Sequence, residues 1–336
     1  MKVPLAVLIV VIIAFGAYVV ARHTGGNPIV DSAAPITTPV GRIIGYGSVG
    51  LQTNTAKHSI ALDQVLDGGP VKDGIPALTN PAFVSEDAAK GFLSDDKRGI
   101  KVTVGQTIRF YPFNIMVWHE VVNDTIEGKH LVITFCPLCG SSIVYDANVG
   151  GRSETFGVSG KLYESNLLMY DKETESLWSQ IQGKAVVGDY TGTKLTLYPS
   201  QVISFAELRA HYPDAVVLSE NTGYQRDYTL YPYGDYTTNN SLYFPISVHD
   251  NRLPAKEIMY VVESGSRSLA FRLSELTSSP ATLSVDGAKV TARKVSGEVE
   301  VRDSTDKVIP GFYTMWFAWA IYHQKDGVVW TAANQL

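Results

Sequence analysis

Cys136 and Cys139 are the only cysteines of the 336-residue chain, and their spacing is the first place where it can do chemistry. Two sulfurs on one C-x-x-C loop lie close enough to form a disulfide or to grip one metal ion. Pro137 stiffens the loop and removes a backbone donor. Gly140 and the hydroxyls of Ser141 and Ser142 can supply hydrogen bonds that favour a thiolate. Three readings follow. In a reactive dithiol, with Cys136 and Cys139 as the catalytic pair, the more exposed cysteine attacks and the other resolves the mixed disulfide. In a metal site the thiolates bind together with imidazole. In the alternative, a non-catalytic ectodomain that binds an envelope partner or ligand, they close a local disulfide as a clasp, although so short a loop constrains the unfolded chain much less than a long-range bridge.

The metal reading has named candidates. Trp118-His119-Glu120 lies upstream of the apolar run that ends at Cys136, and a short helix over residues 113–122 would let His119 approach the sulfurs. His119, Cys136, Cys139 and His323 would then make a Cys2His or Cys2His2 set suited to copper or zinc. Against this, a histidine beside a tryptophan is more often a packed, hydrogen-bonded residue. Glu120 would orient His119 or bind a backbone amide. A thioredoxin-like motif wants a helix after the second cysteine, and a zinc ribbon wants a second C-x-x-C; this sequence offers neither. Residues 156–161, with glycines at 157 and 160, lack Walker spacing and read as a tight turn between strands. No G-x-S-x-G elbow occurs, so a hydrolase would need a pocket joining Ser159 or Ser179 to a histidine.

The elements that must hold these residues read as strands. Residues 130–135 form an apolar strand entering the cysteine loop, and 142–145 lead away from it. Further strands are expected over 100–103, 107–111, 154–158, 166–170, 176–181, 258–262, 268–272, 282–285, 289–294 and 298–301. Asp286-Gly287 and Ser296-Gly297 are turn dipeptides between the last three. Residues 205–211 read as a helix capped by Ser204 and stopped before Pro213. The aromatic, Asp- and Asn-rich stretch 221–245 reads as a long connection ordered by its tyrosines. In it Arg226-Asp227 and Gly234-Asp235-Tyr236 either line a pocket or, the favoured reading, form an internally hydrogen-bonded surface loop. For 312–322, an aromatic core segment, periodicity does not choose between helix and strand. The fold class expected is α+β and β-rich: a single large, mainly antiparallel β ectodomain with a few short helices, behind an N-terminal transmembrane helix.

That helix is read from residues 3–20, an apolar run interrupted only by Pro4 and Gly16. At about 1.5 Å per residue it just spans a bilayer core of about 30 Å. The expected organisation is a signal-anchor at 1–22, a flexible linker at 23–42 and an extracytoplasmic β-rich domain at 43–336. The body is then membrane-tethered by a single pass, or secreted if the segment is cleaved. A formal charge of -5 with no Lys/Arg-rich run argues against nucleic acid as a partner.

Several stretches in fixed order resemble the DUF3179 family, a bacterial and archaeal domain of unknown function. They are Trp118-His119-Glu120-Val121-Val122-Asn123-Asp124, Thr134-Phe135-Cys136-Pro137-Leu138-Cys139-Gly140, and Phe156-Gly157-Val158-Ser159-Gly160-Lys161-Leu162-Tyr163. Leu168-Met169-Tyr170-Asp171, Ser176-Leu177-Trp178-Ser179-Gln180, Arg226-Asp227-Tyr228, Pro232-Tyr233-Gly234-Asp235-Tyr236 and Trp316-Phe317-Ala318-Trp319 complete the set. The likeness runs over about residues 69–322. It implies a family and carries no established activity with it. Where that family often reads Phe-His-Pro near its end, this chain has Tyr322-His323-Gln324, which keeps the histidine and lacks the proline.

Overall fold

The computed structural model describes residues 50–334. The anchor at 1–22 and the linker at 23–42 lie outside them. Among the described residues no helix is long and apolar enough to cross a membrane. The body is β-rich with a few short helices, and the described residues form one compact unit.

Two sheets matter for the cysteines. The first is built on an antiparallel meander of β1 (Val121–Ile126), β2 (Lys129–Cys136) and β3 (Ser141–Asp146). Glu127 and Gly128, both at positive φ, make the two-residue turn that pairs Ile126 with Lys129. Cys136 pairs with Ser141, so residues 137–140 are the loop of the second hairpin and both cysteines sit at its end. Gly140 closes that loop at φ 56°, where a Cβ would also press on Met315 Cγ at 3.2 Å. Gly311–Met315, Ile258–Ser264, Arg267–Arg272 and Gly327–Trp330 continue the sheet beyond β3. Leu78–Thr79 and Thr196–Leu197 complete its nine strands. Two of its pairings are parallel, Leu78–Thr79 on β1 and Gly327–Trp330 on Arg267–Arg272, and the others are antiparallel.

The second sheet has five antiparallel strands, with β4 (Phe156–Tyr163), β5 (Asn166–Asp171) and β6 (Leu177–Ser179) at its centre. The stretch 156–161 is therefore strand and not the tight turn its glycines suggest. Gly157 is there for packing, since a Cβ would lie 2.4 Å from the Tyr170 ring. Gly160, at φ 75°, serves a bulge between Val158 and Lys161.

Elsewhere the local signals hold. Ser204 caps the helix Phe205–His211 through a reciprocal capping box with Glu207. Asp286-Gly287 and Ser296-Gly297 turn between Ala281–Val285, Ala288–Val295 and Glu298–Arg302. Residues 312–322 divide: Gly311–Met315 is a strand and Trp316–Tyr322 a helix. Within 113–122 only Phe113–Met116 is helical, and the chain then reverses at His119-Glu120 into β1. The largest apolar cluster takes in Trp178, Trp316 and Trp319 together with Cys136, Leu138 and Cys139, so the loop chemistry lies inside the core.

Candidate functional site

Cys136 and Cys139 are free thiols, and both are buried, at 1% and 0% exposure. Exposure therefore does not separate them; their hydrogen bonds do. Cys139 Sγ receives Asn166 Nδ2 at 3.1 Å and lies 2.9 Å from Ser141 Oγ. The same sulfur lies 3.9 Å from the Cys136 carbonyl. Burial alone would raise the Cys139 pKa. The neighbouring Cys136 thiol and the hydrogen bonds from Ser141 and Asn166 outweigh it and hold this thiol below its ordinary value. Cys136 goes the other way: burial, then Cys139 and the nearby Glu120 carboxylate, push it well up. The pair thus divides into a potential thiolate and a held thiol.

The donors to Cys139 are themselves fixed by Gln180, just past β6. Its Oε1 accepts from Ser141 Oγ at 2.6 Å and from Asn166 Nδ2 at 2.8 Å. Its Nε2 donates to Thr134 Oγ1 at 2.9 Å, and that hydroxyl donates onward to the Ile143 carbonyl. Asn166 Oδ1 accepts from the Ile181 N–H, so its amide orientation is fixed too. Ser141 has one hydrogen. While it points to Gln180, the contact with Cys139 needs the S–H as donor; once that thiol ionises, the hydroxyl can turn and donate to sulfur. The same network accommodates thiol and thiolate. It is assembled across the two sheets, with Thr134 and Ser141 from the first and Asn166 and Gln180 from the second.

A third layer comes from the long connection between residues 219 and 257. Tyr236, fully buried, donates its hydroxyl to the Leu138 carbonyl at 2.6 Å. Lys256 Nζ lies 3.4 Å from the centre of the Tyr236 ring and donates to the Asn239 carbonyl at 3.0 Å. Burial lowers this ammonium to about 8. Tyr233 donates its hydroxyl to Glu120 Oε1 at 2.9 Å. The stretch 221–245 is therefore more than a surface loop: its tyrosines reach down onto the cysteine hairpin.

Of the residues proposed from sequence as metal ligands, only Cys136 and Cys139 share one place, the end of the hairpin. His119 is buried with both ring nitrogens engaged, Nδ1 with the Pro76 carbonyl at 2.7 Å and Nε2 with the Tyr228 hydroxyl at 2.8 Å. Desolvation lowers its pKa to about 4, so it is a neutral, packed imidazole with no nitrogen left over for a metal. His323 stacks on Trp319 and pairs with Asp326 at 3.2 Å. Among the described residues no three His, Cys, Asp or Glu side chains converge as a metal-binding group. His119 and His323 thus do not join Cys136 and Cys139 in one set. Ser159, a hydrolase candidate, gives its hydroxyl to the Leu168 carbonyl.

Glu120 does neither of the tasks the sequence suggested, since its carboxylate turns to Tyr233. Asn166 and Gln180 were missed as site residues; their one signal is an amide inside an otherwise apolar strand context. Tyr233 and Tyr236 were visible only as part of an aromatic run.

The fold and site define a β-rich domain that carries a buried, electrostatically asymmetric pair of thiols at a hairpin end. The chain belongs to the family described as "Protein of unknown function (DUF3179)", whose model matches residues 72–308. No curated protein and no solved structure matches it.

Proposed function

We propose that Cys136 and Cys139 act as a thiol–disulfide couple in a membrane-anchored extracytoplasmic domain. The observation that carries this reading is the asymmetry of the pair: Asn166 and Ser141 serve the sulfur of Cys139, while Cys136 is kept as a thiol. A clasp has no need of such a division, because a disulfide sulfur carries no charge for these donors to stabilise. The anchor rests on the apolar segment at 3–20, and the oxidising compartment beyond it is where a disulfide couple persists.

The exchange partner is a disulfide of another molecule. The Cys139 thiolate attacks one of its sulfurs, the partner S–S bond breaks, and one partner sulfur leaves as thiolate. Cys136 then loses its proton and attacks Cys139 Sγ, and the second partner sulfur leaves. Two electrons pass to the partner, which ends as two thiols; in reverse the pair is reduced by a dithiol. Because both sulfurs are buried, exchange requires the tyrosines of residues 219–257 to move aside.

The test is a redox titration of the full chain in detergent, in thiol–disulfide buffers, with acid quenching, alkylation and mass spectrometry. The expected result is a reversible two-electron transition at a potential above about -300 mV, where structural disulfides rarely lie. A disulfide that resists reduction throughout identifies a clasp and overturns the proposal. About one copper or zinc per chain in protein purified without chelators, lost in the Cys136→Ser/Cys139→Ser double variant, overturns it in favour of a metal site.

A further inference from the structure

The connection that covers the cysteine hairpin is tied to the body by side chains and not by a strand ladder. Residues 220–253 contain no strand or helix. Every hydrogen bond between backbone groups in this stretch stays inside it, such as Leu230 N–H to the Asp227 carbonyl and Asn239 N–H to the Asp235 carbonyl. The nearest backbone bonds to the body lie just beyond its two ends, Ser219 N–H to the Ala82 carbonyl and Phe317 N–H to the Ala255 carbonyl, both at 3.0 Å. Between those ends each tie to the body uses a side chain. Trp118 Nε1 donates to the Leu230 carbonyl at 3.3 Å, Glu164 Oε2 accepts from the Ser247 N–H at 2.7 Å, and Trp316 Nε1 donates to the Asp250 carbonyl at 2.8 Å. A segment fixed in this way belongs to the part of a fold that opens first, and a long connection without its own elements in a compact domain is commonly a lid.

Lys256 stands just past the far end of this stretch. Its Nζ donates to the Tyr236 carbonyl, to the Asn239 carbonyl at 3.0 Å and to Asn239 Oδ1 at 3.2 Å, and lies 3.4 Å from the centre of the Tyr236 ring. These partners are oxygens and a ring of the connection itself, with no carboxylate among them. The Tyr236 hydroxyl in turn donates to the Leu138 carbonyl, between the two cysteines. We propose that residues 220–253 are a hinged cap that Lys256 latches over the cysteine hairpin, and that opening of this cap as one unit admits the partner disulfide. As a gate for exchange, the inference rests on the dithiol reading above.

The interior of the cap explains why it moves as one piece. The turn from Asp235 to Asn239 carries both residues that Lys256 grips, and Asn239 Nδ2 closes it on Asp235 Oδ1 at 3.0 Å. Tyr243 packs on the Tyr236 ring, with centroids 4.4 Å apart, and donates its hydroxyl to the Tyr233 carbonyl at 3.0 Å. A shift of Tyr236 is therefore passed to Tyr243 and Tyr233. Charge-assisted hydrogen bonds and a cation over an aromatic face are the stronger kinds of side-chain tie, so the grip on this turn is the natural latch. Opening breaks no sheet bond, because the hinges fall where the chain leaves and rejoins the strands Val216–Leu218 and Ile258–Ser264.

The experiment uses the full reduced chain in detergent and two readouts by mass spectrometry. Iodoacetamide reports access to Cys136 and Cys139, and hydrogen exchange of the peptide containing the Ser247 amide reports release of the cap from Glu164. In Lys256→Met, which keeps an unbranched apolar side chain and removes the ammonium, alkylation should speed about tenfold or more. Ser247 exchange should rise by the same factor, because one opening exposes both. Wild-type exchange of peptides from β2 and β3 shows that the variant is folded. Trp118→Phe guards against a Lys256→Met chain that fails to fold: it removes the bond to the Leu230 carbonyl, away from the latch, and should also raise both rates together. Alkylation that rises without Ser247 exchange, or rates unchanged in both variants, overturns the hinged cap. A pair with no reversible transition in the redox titration overturns the dithiol reading and the role as a gate, and is told apart because the two rates still rise together in Lys256→Met.

Discussion

Replacing Asn166 by alanine removes one donor from Cys139 Sγ, at 3.1 Å, and one from Gln180 Oε1, at 2.8 Å. Only the first bears on redox chemistry. A hydrogen bond to a charged group contributes about 1.5–3 kcal/mol, so at a pH where Cys139 is ionised the reduced state loses about that much. For a two-electron couple about 30 mV corresponds to 1.4 kcal/mol; the potential of Asn166→Ala should therefore fall by roughly 30–60 mV, making the pair a weaker oxidant. The Ile181 N–H, bonded to Asn166 Oδ1, is orphaned at the same time, which costs a further 1–3 kcal/mol of stability by the usual order of magnitude. Thiol–disulfide buffers equilibrated with wild type and variant measure the first effect, and denaturant unfolding of both reduced proteins measures the second. Equilibrium potentials do not depend on how the buried sulfurs are reached. A variant that is less stable but keeps the wild-type potential, or shows a higher one, would refute the view that Asn166 supports a thiolate.

Two further outcomes follow from the same geometry. His119 has a folded-state pKa of about 4 against an ordinary 6.5, so the unfolded chain binds more protons between these values. The stability it contributes is present above pH 6.5 and lost as pH falls towards 4, at up to about 1.4 kcal/mol per pH unit. In His119→Gln this part of the slope should disappear in unfolding measured from pH 7 to pH 4, and a slope identical to wild type would contradict the neutral imidazole. Tyr236→Phe removes the hydroxyl that holds the Leu138 carbonyl and should cost about 1–3 kcal/mol. It should also speed alkylation of the cysteines by iodoacetamide under native conditions; unchanged protection would show that Tyr236 does not hold the hairpin closed.

The sequence alone determined the features that depend on neighbours along the chain. Alternating and apolar runs with Gly-containing turns placed β2, β3 and the last three-stranded meander, and Ser204 followed by Glu207 placed a capped helix. The C-x-x-C loop was legible as the chemical centre, and ordered motifs were enough to indicate the family. Glycine misled where its reason was packing: Gly157 gives way to the Tyr170 ring from a neighbouring strand, which no local signal records. The division of 312–322 into strand and helix was likewise settled by pairing, since Gly311–Met315 lies against Ile258–Ser264.

Tertiary structure alone decided which cysteine differs from which, and how. Asn166 bonds the Cys139 sulfur and Gln180 bonds Ser141 and Asn166 beside it, although both lie well beyond the cysteines in sequence; they meet only because two sheets pack at the hairpin end. Tyr233 and Tyr236 arrive from farther still. His119 looked like a ligand because it sits beside a loaded loop in the chain, yet its nitrogens are claimed by Pro76 and Tyr228. Hydrogen bonds act over about 3 Å in space whatever the separation along the chain. The residue types that can do chemistry were therefore readable in order, while the partners that give each its charge required the fold.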